Sequence, residues 1–194
     1  MGGGFSSAGG VANTAYIAKW NGSAWSALGT GTNSSVSAIA VIGTDVYVGG
    51  GFTFADGVPN TAYIAKWNGG TWNPMANGTN SYVYTLAVSG TDLYAGGDFT
   101  LAGGVPNTAR IAKLSGGTWS ALGTGTTGTV RTLAVSGTNV FAGGEFTAAS
   151  SVSANRIAMW NGFGWQALGS GLNNTVYALS LTGNPFSPAL RTAL

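Results

Sequence analysis

Tyr82-Val83-Tyr84-Thr85-Leu86-Ala87-Val88 is followed by Ser89-Gly90-Thr91-Asp92 and then by Leu93-Tyr94-Ala95-Gly96-Gly97. The first run is made of residues that suit an extended, half-buried surface. The small polar residues after it supply the unusual dihedrals of a tight hairpin. The third run reads as a second strand closing on a glycine pair. A longer connection, Leu101-Ala102-Gly103-Gly104-Val105-Pro106-Asn107, comes next. A third strand is plainest one copy earlier, as Tyr63-Ile64-Ala65-Lys66-Trp67, and it turns at Asn68-Gly69, a strong hairpin signal. A fourth strand carries Trp72 and runs towards Met75.

The same grammar recurs along the chain. Gly-Gly-x-Phe stands at Phe5, Phe52, Phe99 and Phe146, in steps of 47 residues. Trp25, Trp72, Trp119 and Trp165 follow at steps of 47, 47 and 46, and Val36, Val83, Val130 and Val176 keep the same beat. A fixed period of this size marks a repeat architecture, in which each unit buries its apolar faces only against its neighbours. No stretch has helical periodicity with caps, and 34 glycines penalise helices. Leucine-rich, ankyrin and helical repeats are excluded by their helical segments, and β-sandwich domains by their length of about 100 residues. Four short antiparallel strands per unit predict an all-β fold, a β-propeller with four-stranded blades. The units fall at about 3–49, 50–96, 97–143 and 144–183, with 184–194 a non-repeat tail.

In each repeat Gly-Gly follows the second strand, an aromatic lies in the third and a Trp begins the fourth, which resembles blades of the kelch and galactose-oxidase type. The fuller pattern, Gly-Gly-x-Phe-Thr, then Ile-Ala-Lys-Trp-Asn-Gly-x-x-Trp-x-x-Leu-Gly-x-Gly, then Val-x-x-Leu-Ala-Val, is similar to propeller repeats of Rax2-type and bacterial extracellular cell-surface proteins. That resemblance spans residues 3 to about 183 and implies the fold, interaction work in place of catalysis, and an extracellular or cell-surface location. Met1-Gly2-Gly3-Gly4-Phe5 has no basic n-region and no apolar h-region, so no signal peptide is read here.

The chain opens at the end of a second strand and finishes a first strand at 176–181, where Pro185 and Pro188 then suit no central strand. The expectation is a shared blade. It is closed either within one chain, giving four blades, or between two chains, giving a homodimer with eight.

Charged residues are 6% of the chain against about 25% ordinarily, while 44% are hydrophobic, which argues for a folded chain. The net charge of +2 is scattered and forms no cationic stripe, so nucleic acid is not an expected partner. No apolar run is long enough for membrane insertion. There is no Cys, hence no disulfide and no thiolate metal site, and no His. Ser-His-Asp and Cys-His chemistry is therefore excluded, and no phosphate loop occurs. No cofactor, metal or catalytic residue is assigned, and the chain is read as a non-enzyme.

The acidic stock is Asp45, Asp56, Asp92, Asp98 and Glu145. Asp45 and Asp92 sit in repeated hairpins and read as Asx turns. Asp98 and Glu145 occupy the place of Gly4 and Gly51 in other copies, and acidic groups at one radius could bind calcium or sugar hydroxyls. The second-to-third and fourth-to-first connections are long and share one face, which makes the loops at 55–60, with Asp56, and at 77–82 the expected site for a protein or glycan. Ser37, Tyr84, Arg131 and Tyr177 are equivalent and start the innermost strands, ringing the channel mouth. Tyrosine and arginine stack on sugars or grip carboxylates. Trp25, Trp72, Trp119 and Trp165, like Phe5, Phe52, Phe99 and Phe146, recur at fixed strand positions and read as blade core. So do Trp20, Trp67 and Trp160, whose third counterpart is Leu114. Asn21, Asn33, Asn77 and Asn173 begin Asn-x-Ser/Thr triplets. Two further readings stand beside the interaction module: a lectin-like propeller with shallow sites repeated between blades, and an amplified or engineered repeat whose property is self-assembly.

Overall fold

The computed structural model describes residues 1–181 and the backbone of Thr182 and of Ala189–Ala193. An opening unit pairs β1 (Lys19–Trp20) with β2 (Trp25–Ser26), and Gly2 bridges Ile17 beside them. Three complete four-stranded antiparallel sheets follow. The first is β3 (Val36–Ile42), β4 (Asp45–Gly50), β5 (Ile64–Trp67) and β6 (Trp72–Asn73). The second is β7 (Val83–Ser89), β8 (Asp92–Gly97), β9 (Ile111–Ser115) and β10 (Thr118–Ala121). The third is β11 (Val130–Ser136), β12 (Asn139–Gly144), then the small hairpin of β13 (Ala148–Ala149) and β14 (Val152–Ser153), then β15 (Ile157–Trp160) and β16 (Trp165–Ala167). β17 (Ala178–Thr182) ends the row and pairs with β18 (Ala189–Ala193), so backbone in the non-repeat tail is recruited as a strand. No helix among the described residues is long and apolar enough to cross a membrane.

The architecture is the propeller-like, all-β arrangement read from the repeat. In each complete sheet the strands pair in chain order, first with second, second with third, third with fourth. The first hairpin is a two-residue turn in which Ile42 pairs Asp45, and Gly43 takes φ 62° at its first position. Only glycine enters that conformation cheaply. The second hairpin is closed by a side chain: Asn68 Oδ1 accepts from Gly70 N at 3.0 Å and Thr71 N at 2.9 Å, and Asn21 and Asn161 do the same.

Inner strands β3, β7, β11 and β17 lie side by side, and the core sits between successive sheets. Ala40, Ile42 and Tyr47 of the first sheet cover Leu93 and Leu114 of the second, together with Leu86 and Val88. Ala87 and Tyr94 of the second cover Val140 and Leu133 of the third. Phe52, Phe99 and Phe146 are all fully buried, as expected of core, whereas Phe5 in the opening unit is half-buried.

The glycine pair has a reason the repeat alone conceals. Gly97 lies in ordinary strand, yet a Cβ there would stand 2.0 Å from the Tyr82 carbonyl oxygen. At Gly96 a Cβ would stand 2.6 Å from Val130 of the next sheet. Gly96 lets the next blade's first strand cross this blade's second, and Gly97 lets the chain entering β7 close on β8 of the same blade.

Candidate functional site

On the face carrying the long connections, residues from different repeats form one stacked row. Tyr63 lies 5.7 Å from Tyr82 between ring centroids, Tyr82 stacks on Tyr84 at 6.0 Å and 22°, and the Arg131 guanidinium lies 4.3 Å over the Tyr84 ring. β7 and β11 place Tyr84 and Arg131 because the inner strands run abreast and both residues hold the same position in them. Two carboxylates brace the row. Tyr84 Oη donates to Asp98 Oδ2 at 2.9 Å, and Thr129 Oγ1 donates to the other oxygen of Asp98. Arg131 donates to Glu145 through Nε at 2.8 Å and through its terminal nitrogen at 2.6 Å. The Arg156 guanidinium donates to the Glu145 carbonyl.

Desolvation raises the Tyr84 phenol above its ordinary pKa, and the bond to Asp98 adds to that. Desolvation pulls Arg131 down, but the pairing with Glu145 outweighs it and the guanidinium ends raised. The row is therefore a neutral phenol and a permanently charged, internally neutralised guanidinium. Its outward surface is aromatic, with Tyr82 46% exposed.

Four of the six residues expected at a site, Tyr84, Arg131, Asp98 and Glu145, are thus brought together. Tyr177 continues the series one strand on, before β17, and is 70% exposed. Asp56 lies elsewhere: it takes φ 53° in its loop and accepts from the Thr30 hydroxyl and from Thr30 N at 2.9 Å, tying the first long loop to the preceding repeat. Its carboxyl is held below the usual range by the Thr30 hydroxyl first and the Thr30 amide second. Asp98 spends both oxygens on Tyr84 and Thr129, Glu145 spends Oε1 on Arg131, and among the described residues no three acidic groups gather as a metal site would require. Tyr82 lies in the expected loop at 77–82 but is not singled out there, and Tyr63 is not expected at all, because neither position is aromatic in every repeat. Their counterparts in the third repeat are Arg110 and Thr129.

The opposite face, with the short hairpins, has a groove between each pair of units. The best furnished holds about 420 Å³ and is lined by Tyr94, Lys113, Trp160, Asn161 and Phe163, with Asp92 at its side. Phe163, at a hairpin tip, is 95% exposed. Asp45 and Asp92 differ from the Asx-turn expectation: each bonds the lysine across the sheet, Lys66 at 2.9 Å and Lys113 at 2.6 Å. Antiparallel pairing sets Tyr94 opposite Lys113 in the neighbouring strand, so the side chains meet across it. The bond from Lys113, then that from Ser115, lowers the Asp92 carboxyl, and the same pair raises Lys113.

The recurring tryptophans are packing residues. Trp72 Nε1 donates to Leu28 O at 2.8 Å, Trp119 to Met75 O at 3.0 Å and Trp165 to Leu122 O at 2.8 Å, always from one blade to the one before.

Sheet order and inter-blade packing define the class, a propeller-like repeat protein. Comparison with known proteins agrees at that level. No family model matches the chain and no curated protein matches it. Among solved structures it is similar to two computationally designed proteins. The Ika8 protein overlays with a TM-score of 0.53 at 20% identity, over 82% of this chain and 46% of that one. The Ika4 protein overlays with a TM-score of 0.55 at 18% identity, over 84% of this chain and 92% of that one. This chain thus spans about half the length of the Ika8 chain, and the likeness is one of fold.

Proposed function

We propose that this chain is a non-enzymatic interaction module that recognises a protein partner through the Tyr82–Tyr84–Arg131 row and the adjoining Tyr177. The observation that carries this reading is the stacked row itself. Tyrosine and arginine held in fixed rotamers by stacking and by Asp98 and Glu145 are the side chains that dominate protein interfaces, and little ordering entropy is left to lose on binding. The chain's lack of His and Cys supports the non-enzymatic part. The motif likeness to Rax2-type and bacterial cell-surface repeats supports an extracellular or cell-surface setting. Panning a displayed random peptide library on the immobilised chain tests the row. Clones whose binding falls tenfold or more with Tyr82→Ala or Tyr177→Ala are expected. Both residues are exposed, so the fold survives. Clones that bind wild type and both variants alike overturn the reading.

One observation favours a second, lectin-like reading. The 420 Å³ groove combines the aromatic surfaces of Trp160 and Phe163 with the polar Asp92–Lys113 pair. An internally neutral pair beside aromatic faces fits an uncharged pyranose, whose apolar face stacks while its hydroxyls bond. A glycan array decides it: signal from neutral hexoses that is lost in Phe163→Ala supports the groove, and no sugar-dependent signal refutes it.

A further inference from the structure

The two ends of the blade row carry faces that match one another. At the opening end, Ile39 and Val41 of β3 are 37% and 55% exposed, and Trp20 of β1 is 49% exposed. With Val46, Trp67 and Lys19 they line a groove of about 540 Å³. Their counterparts in later sheets, Leu86, Val88 and Leu133, Val135, are buried or half-buried, because a first strand from the preceding sheet lies over them. The covering faces are built mostly of small residues: Ala38 and Ala40, with Ile42 beyond them, in β3, Thr85, Ala87 and Ser89 in β7, Thr132, Ala134 and Ser136 in β11. β17 repeats that composition at Ala178 and Ser180, and both are exposed. It packs on β11 and β12, and no comparable packing joins it to β1, β2 or β3.

Hydrogen bonding is unmatched at the same two ends. Leu28, Met75 and Leu122 each give their carbonyl to a glycine amide and to the tryptophan of the next blade. The Leu168 carbonyl accepts from Gly171 N, but no tryptophan reaches it among the described residues. Trp25 is the one member of its series with no carbonyl acceptor among the described residues. The uncovered receiving face and the unmatched donor are at one end; the uncovered covering face and the unmatched acceptor are at the other.

We propose that a second copy of this chain docks head-to-tail on the first. Ala178 and Ser180 of the second copy lie over Ile39 and Val41 of the first, and Trp25 of the first donates to the Leu168 carbonyl of the second. The occupant is another copy because the joint continues the blade-to-blade interface already present three times within the chain, with the same residue classes on both sides. Docking both ends of each copy closes a ring of two, which leaves no uncovered sheet face. The inference concerns assembly and is independent of the tyrosine row.

The chain has no native cysteine, so single thiols report the joint without interference. Thr85 Oγ1 accepts from Leu133 N and Ser89 Oγ donates to Gly137 O, so at an existing joint Ala87 lies beside Val135; the corresponding pair at the new joint is Ser180 and Val41. Light scattering should give twice 19.3 kDa for the wild-type chain, and 19.3 kDa for Val41→Lys. Mixing Val41→Cys with Ser180→Cys under a mild oxidant should give a disulfide-linked dimer on a non-reducing gel. Either variant alone should give far less. Wild type that stays at 19.3 kDa, or a mixture no better linked than its components, overturns the proposal. So does a Val41→Cys/Ser180→Cys double variant linked only within one chain.

Discussion

Replacing Trp119 by Phe separates packing from hydrogen bonding at the blade joint. Trp119 is 3% exposed and donates to Met75 O at 3.0 Å. Phenylalanine keeps a buried ring but loses the N–H, and the smaller ring leaves unfilled volume. The Met75 carbonyl retains Gly78 N at 2.7 Å, so it is not orphaned. The bond then costs about 1 kcal/mol and the lost burial about another 1 kcal/mol. Roughly 2 kcal/mol in a chain of this size lowers Tm by about 4–8 °C. Trp119→Ala, which empties the site, should cost about 3–5 kcal/mol. Thermal unfolding followed by tryptophan emission and circular dichroism reads both. Trp72→Phe and Trp165→Phe should behave like Trp119→Phe, since the geometry is repeated. Trp25→Phe, made together with Val41→Lys so that no second copy docks, should leave Tm within about 1–2 °C, the range of surface changes. The reasoning fails if Trp119→Phe leaves Tm unmoved, or if Trp25→Phe is as damaging as the other three.

Gly97→Ala should prevent a native fold at any temperature tested by circular dichroism, because the added Cβ would meet the Tyr82 carbonyl at 2.0 Å and two backbones would have to part; Gly90→Ala, strained at φ 60° but facing open space, should fold with a lowered midpoint. Thr108→Val removes a fully buried hydroxyl that accepts from Ala102 N at 2.8 Å and donates to Val105 O at 2.7 Å. It should cost about 1–3 kcal/mol in urea unfolding, much of it from the orphaned amide. Asp92→Asn tests the Lys113 pair, with a cost of about 0.2–1 kcal/mol because both partners are partly exposed. The Asp92 carboxyl is lowered in the fold, so its contribution is complete above about pH 4 and is lost as pH falls through its folded value. Lys113 is raised, so the contribution persists to about pH 10 and is lost as pH rises through the folded value. The Tm gap between wild type and Asp92→Asn should therefore be open between those limits and close outside them.

The fold was largely legible because it is repetitive. The reading of Tyr82–Gly97 is repeated in full three times by the 47-residue beat, and the strand order and both hairpins follow it closely. The Asx-turn reading of Asp92 fails because its partner, Lys113, is 21 residues on in the chain but in the adjacent strand, and antiparallel register brings the two together. The tyrosine row was read in part: the inner-strand series marked Tyr84, Arg131 and Tyr177, while Tyr63 and Tyr82, which stack beside Tyr84, hold places that are not aromatic in every repeat.

By itself, then, the sequence determined the β architecture and the unit length, since these depend on local propensity and on a period that any neighbouring copy reinforces, whereas Trp20, read as blade core, is 49% exposed because no strand covers the opening unit. Only the tertiary structure decided what the glycine pair is for, which tyrosines stack, and which faces stay uncovered at the ends of the row. Those depend on distances between blades, where one Cβ at Gly96 or one missing cover over Val41 changes the outcome, and such distances leave no mark on a single strand's pattern.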